Sequence, residues 1–457
     1  MTKFDQLYSA LPLPLQNQVV SLYGLYWHWL RFGGNFAEHD RGYRERERFD
    51  ADQWAAYQQK QLRELITIAA EQVPYYQRIW TEDQISAAKC GELTALPLLE
   101  KDPIRRNPKD FVRRDMSRER YWTNLTSGST GTPIASMWTA EETRDSLAVR
   151  EVRSANWAGV SFKQPRATFS GRMVEPNPDS KGPFYRFNSV EKQVYFSPFH
   201  LRPDTAHFYV EALKRHKIRW MTGYAVSYYL LAKFIIDAGL DVPPLTAVIT
   251  TSEKLTPEMR SVMEQAYHCR IYEEYSTVEN ALFASECEHG HLHVSPDVGI
   301  VEILRPDGSA CELGEIGEVV TTCLMRSFQP MIRFRLGDLA AWDSESCPCG
   351  RSMPVIKEVV GRIEDVVVGP DGRQMVRFHG IFVNQPHIIE GQIIQESVDQ
   401  IHVKVVPTHE FSDIDIQDII HRVQQRLGKA IHVTVEKVDM IPRTSAGKFK
   451  AVISNIQ

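Results

Sequence analysis

The stretch AVSYYLLAKFIIDAG (225–239), followed by LTAVIT (245–250) and TPEMRSVMEQAY (256–267), decides the fold class. The first and third segments carry apolar residues at helical spacing, and the second is a short apolar run typical of a buried strand. Thr256 is a helix-capping residue type, and Pro257 suits the first turn of the helix that follows. Helices and strands that alternate in this way predict a layered α/β fold.

The chain on either side of this core adds helices before it and strands after it. Residues 50–73 carry apolar positions at helical spacing and precede Pro74, which predicts an amphipathic helix. IHVKVV (401–406) and IHVTVEKV (431–438) alternate like strands, and IDIQDIIHRVQQRLG (414–428) between them has one apolar helical face, which indicates a small α+β module. We therefore predict a large N-terminal domain of layered sheets and helices (1–360) and a small C-terminal α+β domain (361–457).

The composition is that of an ordinary cytosolic protein with more than one domain. The 457 residues exceed what a single core usually organises, and 43% of them are hydrophobic and 24% charged. A net charge of -5 gives no footprint for nucleic acid, and the first residues lack the pattern of a secretory signal. No stretch is suited to span a bilayer, which predicts a cytoplasmic protein. We predict that the aromatic stretch from Val19 to Phe32 is a helix or strand packed on the core, with peripheral contact with a membrane surface as the alternative.

The stretch TNLTSGSTGTPIA (123–135) concentrates glycines and hydroxyls in one place. Glycines let backbone N–H groups point into one concavity, and hydroxyls can donate to phosphate oxygens, so the stretch is suited to bind an anion. It is not a Walker A loop, because it lacks the Gly-Lys-Ser/Thr ending. Composition alone leaves a surface loop as the alternative. The residues concerned are Thr126, Ser127, Gly128, Ser129, Thr130, Gly131 and Thr132.

Four further segments follow this loop in order: YSTVEN (275–280), FRLGDLA (334–340), GRIED (361–365) and PRTSAGKFK (442–450). Together with the loop they resemble the core motifs of the adenylate-forming enzymes, the superfamily of acyl-CoA synthetases, peptide-synthetase adenylation domains and luciferases. The segments are most similar to the phenylacetate CoA ligase branch, including its relatives among capsule and surface-polysaccharide biosynthesis proteins. The resemblance covers nearly the whole chain and implies a small domain that moves between two half-reactions.

The resemblance implies a role for residues in each motif. The loop would cradle the ATP phosphates, Glu279 would hold Mg²⁺ on them, and Lys448 would be the catalytic lysine. Asp338 would accept hydrogen bonds from both ribose hydroxyls. The other nucleotide contacts would come from Tyr275 near adenine and from Ser252, Glu253, Ser276 and Arg362.

Two groups of cysteines and histidines, in ECEHGHLH (286–293) and CPCG (347–350), suit a tetrahedral zinc site. The resemblance implies a set of three cysteines and one histidine. We expect Cys287, His293, Cys347 and Cys349 as ligands, with His289 or His291 as substitutes for His293. Four protein ligands leave no open position for water, so such a zinc ion would be structural. Unmetallated thiols and imidazoles are the alternative.

The motifs together predict an AMP-forming ligase that activates a small-molecule carboxylic acid with ATP through an acyl-adenylate and transfers the acyl group to coenzyme A. The aromatic-rich segment 156–231 is a candidate lining for the acid pocket, although aromatic runs are more often core. The alternative is an adenylating ligase that transfers the acyl group to an amine or hydroxyl of a sugar or carrier in surface-polysaccharide biosynthesis. A third possibility is a nucleotide-binding remnant without activity, because Ser276 and Val278 depart from the residues common in the family.

Overall fold

The fold is described from a computed structural model, which covers residues 8, 11–125, 134–171, 174–175, 177, 180–253, 255–359, 367–375, 378–382, 385–439, 441 and 452–456. The helices in this part of the chain are α1 (Leu13–Phe32), α2 (Phe36–Arg46), α3 (Ala51–Gln72), α4 (Pro74–Ile79), α5 (Glu82–Lys89), α6 (Lys101–Arg106), α7 (Ala140–Val149), α8 (Ala206–Arg215), α9 (Ala225–Asp237), α10 (Pro257–Tyr267) and α11 (Asp413–Leu427). A π-helical turn, Arg150–Ala155, continues α7.

The strands are β1 (Tyr121–Leu125), β2 (Ala135–Thr139), β3 (Arg166–Phe169), β4 (Tyr185–Asn188), β5 (Gln193–Phe196), β6 (Trp220–Tyr224), β7 (Ala247–Thr251), β8 (Arg270–Ser276), β9 (Phe283–Glu286), β10 (Leu292–Val294), β11 (Gly299–Leu304), β12 (Gly317–Cys323), β13 (Phe334–Trp342), β14 (Val355–Val359), β15 (Val367–Val368), β16 (Gln374–Met375), β17 (Ile388–Ser397), β18 (Gln400–Pro407), β19 (His432–Lys437) and β20 (Val452–Ser454).

Twelve of these strands form one sheet in the order β11-β12-β13-β14-β10-β9-β8-β7-β6-β3-β5-β4. The run β5-β3-β6-β7-β8 is parallel, and the strands from β8 to β11 pair antiparallel. The prediction of a layered α/β fold is therefore confirmed. Helices α8, α9 and α10 pack their buried side chains against one face of the parallel strands.

The helices that decided the fold class begin and end close to the predicted positions. In α10 the Thr256 hydroxyl accepts a hydrogen bond from the backbone N–H of Met259 at 3.2 Å, and Pro257 is the first helical residue. In α3 the Asp50 carboxylate accepts from the backbone N–H of Gln53, whose side chain accepts in return from the Asp50 N–H. Local capping chemistry thus fixes these boundaries.

Helix α1 contains the aromatic stretch, and one face of it packs on the large sheet. Gly24 faces the edge strand β4 at a point where an added Cβ would lie 2.4 Å from the side chain of Asn188, so a larger residue would require this buried side chain to move. The opposite face exposes large apolar side chains, among them Leu22 at 67% and Trp29 at 63%. None of the helices in the described part of the chain has the length and apolar character needed to cross a membrane. Contact of this face with a membrane surface stays a prediction.

The C-terminal residues form a separate small sheet in the order β19-β18-β17-β20, with α11 packed on it. Its own apolar cluster includes Ile393, Val403, Ile419 and Val423, each of which is fully buried. A core of this kind is what the predicted α+β module requires. The boundary expected at residue 361 lies outside the described residues and stays a prediction.

Candidate active site and metal centre

A cavity of about 530 Å³ lies over the parallel strands, on the face opposite to α8, α9 and α10. Its floor includes residues at the carboxyl ends of β3, β6 and β7, and its walls come from α1, α7 and the β1–β2 hairpin. In the sheet, β3 lies between β5 and β6, both of which come later in the chain, so the order of the strands reverses at β3. Ligands of open α/β sheets bind at such a reversal of strand order, outside the carboxyl ends of the strands.

Gly223 shapes the floor of this cavity. It has a φ of +139°, and a Cβ added there would lie 2.0 Å from the backbone oxygen of Phe169 on the neighbouring strand β3. No side chain fits into this gap, so β3 and β6 approach closely only because residue 223 is glycine. The predicted pocket segment 156–231 contributes this glycine and several other lining residues, whereas Trp220 and Tyr228 from the same segment lie in the core.

The glycine-and-hydroxyl loop joins the two strands of the β1–β2 hairpin. Residues Thr126 to Thr132 lie outside the described residues, but the last residue of β1, Leu125, is paired with Ala135 at the start of β2. Leu125 and Ala135 therefore lie side by side, in a hairpin whose Asn124 and Trp138 line the cavity.

Arg326 holds this hairpin against the segment that contains Glu279. Its guanidinium donates to the Ser136 hydroxyl at 3.0 Å, to the backbone oxygen of Glu279 at 2.6 Å and to the backbone oxygen of Met137. Arg326 is 1% exposed and also lies over the Trp138 ring at 4.1 Å. A buried residue that sequence reasoning missed thus joins strand β2, which follows the loop, to the motif that contains Glu279.

Gln329 adds a second contact to the same hairpin, which was also missed. Its side-chain oxygen accepts from the backbone N–H of Met137 at 2.9 Å, and its amide donates to the backbone oxygen of Ala135 at 3.1 Å. Gln329 has no exposed surface. The available signal was a polar pair, Arg326 and Gln329, within the apolar stretch CLMRSFQPMI (323–332).

Tyr275 and Asp338, predicted to bind opposite parts of a nucleoside, lie in contact. The Tyr275 hydroxyl donates to Asp338 Oδ2 at 3.0 Å, and both residues are half-buried. This bond helps to orient the carboxylate, whose two oxygens can each accept more than one hydrogen bond. Tyr275 is near the end of β8 and Asp338 is within β13, strands that are not neighbours in the sheet.

The other predicted nucleotide contacts differ in their surroundings. Ser252 follows β7 with a φ of +74°, an unusual backbone for a non-glycine residue, and lines the cavity; Glu253 comes next in the chain. The Ser276 hydroxyl donates to Glu274 at 3.2 Å and lies 3.4 Å from the guanidinium of Arg150, which pairs with Glu274. Arg362 and Lys448 lie outside the described residues.

The four predicted zinc ligands converge on one point. Cys287 Sγ lies 3.6 Å from Cys347 Sγ, Cys349 Sγ lies 3.3 Å from His293 Nε2, and all four ligand atoms fall within 4.8 Å of one another. Two thiolates bound tetrahedrally at about 2.3 Å stand about 3.8 Å apart, which agrees with the sulfur–sulfur distance seen here. The geometry and the donor set therefore fit a structural zinc ion.

The surroundings of His293 are suited to a metal ligand. Its Nδ1 lies 3.2 Å from the backbone oxygen of Met353, so Nδ1–H donates and Nε2 is left with a lone pair toward the cysteines. Burial lowers the pKa of His293 to about 4, which keeps the imidazole neutral at pH 7. His291 instead lies 3.9 Å from Asp343, outside the cluster.

The chain is similar over nearly its whole length to proteins of the predicted kind. Residues 368–455 match the CapK C-terminal domain family. Protein CapK of Staphylococcus aureus is 24% identical, over 99% of this chain and 100% of the relative. Phenylacetate-coenzyme A ligase of Thermus thermophilus is 21% identical, over 90% of this chain and 98% of the relative.

Solved structures of a CoA ligase have a similar fold. The 2-hydroxyisobutyryl-CoA ligase in complex with 2-HIB-AMP and CoA, in the thioesterification state, superimposes with a TM-score of 0.58 and 22% identity, over 90% of this chain and 91% of that chain. The same ligase in the postadenylation state with R3-HIB-AMP gives a TM-score of 0.55. The predicted resemblance to adenylate-forming ligases, and the fold that it implies, are confirmed.

Proposed function

We propose that this protein is an AMP-forming ligase that activates a carboxylic acid with ATP and transfers the acyl group to coenzyme A. The observation that carries the proposal is the clamp by Arg326, which joins the Glu279 segment to the hairpin of the glycine-and-hydroxyl loop. Motifs that are far apart in the sequence thereby meet beside one cavity. Among the relatives are a phenylacetate-coenzyme A ligase and a 2-hydroxyisobutyryl-CoA ligase, the latter in complex with an acyl-AMP and CoA.

In the first half-reaction a carboxylate oxygen forms a bond to the α-phosphorus of ATP, and the bond from that phosphorus to pyrophosphate breaks. The loop from Thr126 to Thr132 cradles the leaving phosphates, Asp338 holds the ribose, and Lys448 stabilises the oxygens of the reacting phosphate. Glu279 is a buried carboxylate of the kind that Mg²⁺ prefers, and the ion would neutralise charge on the phosphates. Catalysis is mainly positioning and electrostatic stabilisation.

In the second half-reaction the thiol of coenzyme A attacks the acyl carbon, and AMP leaves with the electrons of the broken acyl–phosphate bond. The thiol proton passes to solvent. The C-terminal unit, which we place at 361–457, brings Lys448 to the cavity for the first step and moves away for the second.

The same site suits a second acceptor, an amine or hydroxyl of a sugar or carrier. The match of residues 368–455 to the CapK C-terminal domain favours keeping this alternative, because that unit would form the acceptor side of the site. Wild-type protein, ATP and a reactive acid should be supplied either with coenzyme A or with an amino sugar. Acyl-CoA as the product supports the primary proposal, and an amide or ester of the sugar supports the alternative.

We further infer that Cys287, His293, Cys347 and Cys349 hold one structural zinc ion. The supporting observations are the convergence of the ligand atoms within 4.8 Å and the backbone partner of His293. The ion would join Cys287 in the turn after β9 and His293 in β10 to the loop between β13 and β14, and β13 carries Asp338. Zinc at this site would therefore stabilise the strand that carries Asp338. Four protein ligands would leave no coordination position for a catalytic water.

The adenylation step is tested by acid-dependent release of pyrophosphate. Lys448→Ala should lower the rate by about 10²–10³, the loss typical of one preorganised donor of positive charge or hydrogen bonds. Lys429→Ala is the matched control, because Lys429 is an exposed lysine in the turn after α11. An unchanged rate in Lys448→Ala would contradict the assignment of this lysine.

A further inference from the structure

The floor of the cavity is polar, which is unusual for the middle of a parallel sheet. Strands of a parallel sheet are normally apolar on both faces, since helices cover both. Here the face toward α8 and α9 is apolar, with Ala167, Phe169, Val194 and Met221 fully buried. The cavity face of the same strands carries Arg166, Thr168, Gln193, Tyr195, Thr222 and Glu274.

These polar groups are held in place by one another. Arg166 donates to the side-chain oxygen of Gln193 at 2.7 Å, and the Gln193 amide donates to the Thr168 hydroxyl at 2.8 Å. Arg166 and Gln193 are 3% and 6% exposed, so their orientation is fixed by packing as well. A rigid row of hydroxyl and amide groups is suited to recognise hydroxyls of a ligand, because each group has a defined direction.

The charges near this row are balanced. Arg31 donates to Glu191 at 2.8 Å, and Arg166 lies 3.9 Å from the same carboxylate and near Glu151. Arg150 is paired with Glu274. Each of these arginines thus has a carboxylate close to it, which favours a ligand body that forms hydrogen bonds over one that carries several negative charges.

Aromatic rings complete the walls above the polar floor. Trp27 of α1 and Trp122 of β1 pack edge to face with their centroids 6.0 Å apart, and Trp138 and Phe162 also line the cavity. Rings of this kind provide flat apolar surfaces, whereas the floor provides donors and acceptors. A ligand that fits both is a compact ring or chain with hydroxyls on one side and C–H groups on the other.

We propose that the acid activated at this site is a hydroxylated carboxylic acid of the size of a sugar acid, and not an aryl or alkyl acid. The proposal rests on the proposed function for the placement of the carboxylate near the carboxyl ends of the strands. Its distal hydroxyls would then lie along Thr168, Gln193 and Thr222. Arg166 begins β3 and Ser170 follows its last residue, and four steps along a strand correspond to about 13 Å, enough for a six-carbon acid.

The test compares D-glucuronate and D-gluconate with phenylacetate and hexanoate as probes. With ATP present, kcat/KM for pyrophosphate release should be at least about 100-fold higher for one of the hydroxylated acids than for either apolar acid, because a site that hydrogen-bonds hydroxyls rejects analogues without them. Equal or better use of phenylacetate or hexanoate would overturn the proposal, while pyrophosphate release as such would still support adenylation.

Binding separates this inference from the proposed function. Three tryptophans line the cavity, so intrinsic fluorescence reports occupancy even without turnover. Saturable quenching by a hydroxylated acid, with no response to hexanoate, supports the substrate class. If no acid then releases pyrophosphate, only the proposed adenylation is contradicted, and the substrate class still stands. Absence of any response to both hydroxylated acids, or a stronger response to the apolar acids, overturns the substrate class.

Two isosteric variants test the floor directly. Thr168→Val and Thr222→Val each remove one hydroxyl and keep the volume, and each should reduce the preference for the hydroxylated acid over hexanoate by about tenfold or more. Thr321→Val is the matched control, because Thr321 is a fully buried threonine of β12 that does not line the cavity. An unchanged preference in both floor variants would overturn the assignment of these hydroxyls.

Discussion

The contact between Tyr275 and Asp338 provides the sharpest prediction, because one atom can be removed while the aromatic ring is kept. Tyr275→Phe deletes the hydroxyl that donates to Asp338 Oδ2 at 3.0 Å. A hydrogen bond to a charged group contributes about 1.5–3 kcal/mol, and the half-buried position places this one near the lower end. A loss of about 1.5 kcal/mol corresponds to roughly a tenfold change.

Steady-state pyrophosphate release at saturating acid measures this effect. The proposed contact of Asp338 with the ribose would be equally strong in the ground state and the transition state, so Tyr275→Phe should raise KM for ATP about tenfold with little change in kcat. Tyr272→Phe is the control, since Tyr272 is on the same strand but lies under Arg270 at 4.8 Å. An unchanged KM in Tyr275→Phe, or the same rise in the control, would refute the account of the ribose site.

Three further predictions concern the metal, the cavity floor and pH. Purified protein should contain about one zinc per chain by elemental analysis, and Cys347→Ser should remove it and lower Tm, whereas Cys90→Ser, an exposed cysteine, should change neither. Gly223→Ala should lower the free energy of unfolding, measured in urea, by about 3 kcal/mol or more, because the added Cβ would lie 2.0 Å from the backbone oxygen of Phe169. Gly380→Ala should have little effect, because no atom lies within 4 Å of the position of its Cβ. Burial lowers the pKa of His200 to about 4, so at this residue the unfolded chain binds more protons than the folded chain between pH 6.5 and 4. The free energy of unfolding should therefore fall by about 2 kcal/mol from pH 7 to pH 5. His200→Gln should remove this part of the pH dependence.

The elements of the fold could be predicted wherever local chemistry decides them. Apolar spacing and capping residues placed α3, α9, α10 and α11 close to their observed bounds, because helices are fixed by contacts between residues near in sequence. The sequence of Val19 to Phe32 is compatible with a helix or a strand, and the structure shows the helix Leu13–Phe32. The close approach of its Gly24 to the Asn188 side chain depends on a tertiary contact that is invisible in the sequence.

The site could be predicted only in part. Motif resemblance named Tyr275 and Asp338, but not their mutual hydrogen bond, which depends on strands brought together by the whole sheet. Arg326 and Gln329 escaped notice because most of their partners are backbone atoms, several of them in strand β2, and backbone atoms leave no mark in the sequence. An arginine within the apolar stretch 323–332 is the sequence signal that could have found them, since a charge among buried residues requires partners.

The polar floor of the cavity was open to prediction in principle. The strands RATF and QVYF alternate polar and apolar residues, whereas parallel strands covered on both sides read as continuous apolar runs. The sequence does not show that β3 pairs with both β5 and β6, a pairing that brings the polar residues of the three strands next to one another. Only then does a row of hydroxyl and amide groups form one surface.

The central claim, that a carboxylate attacks the α-phosphate of ATP, is tested most directly by an oxygen-18 experiment. The protein should be incubated with ATP and the acid that best supports pyrophosphate release, labelled with ¹⁸O in its carboxylate, together with coenzyme A. Mass spectrometry should then find one ¹⁸O atom in the phosphate of AMP and none in pyrophosphate. Label in a phosphate other than that of AMP, or AMP formed without label, would contradict the account.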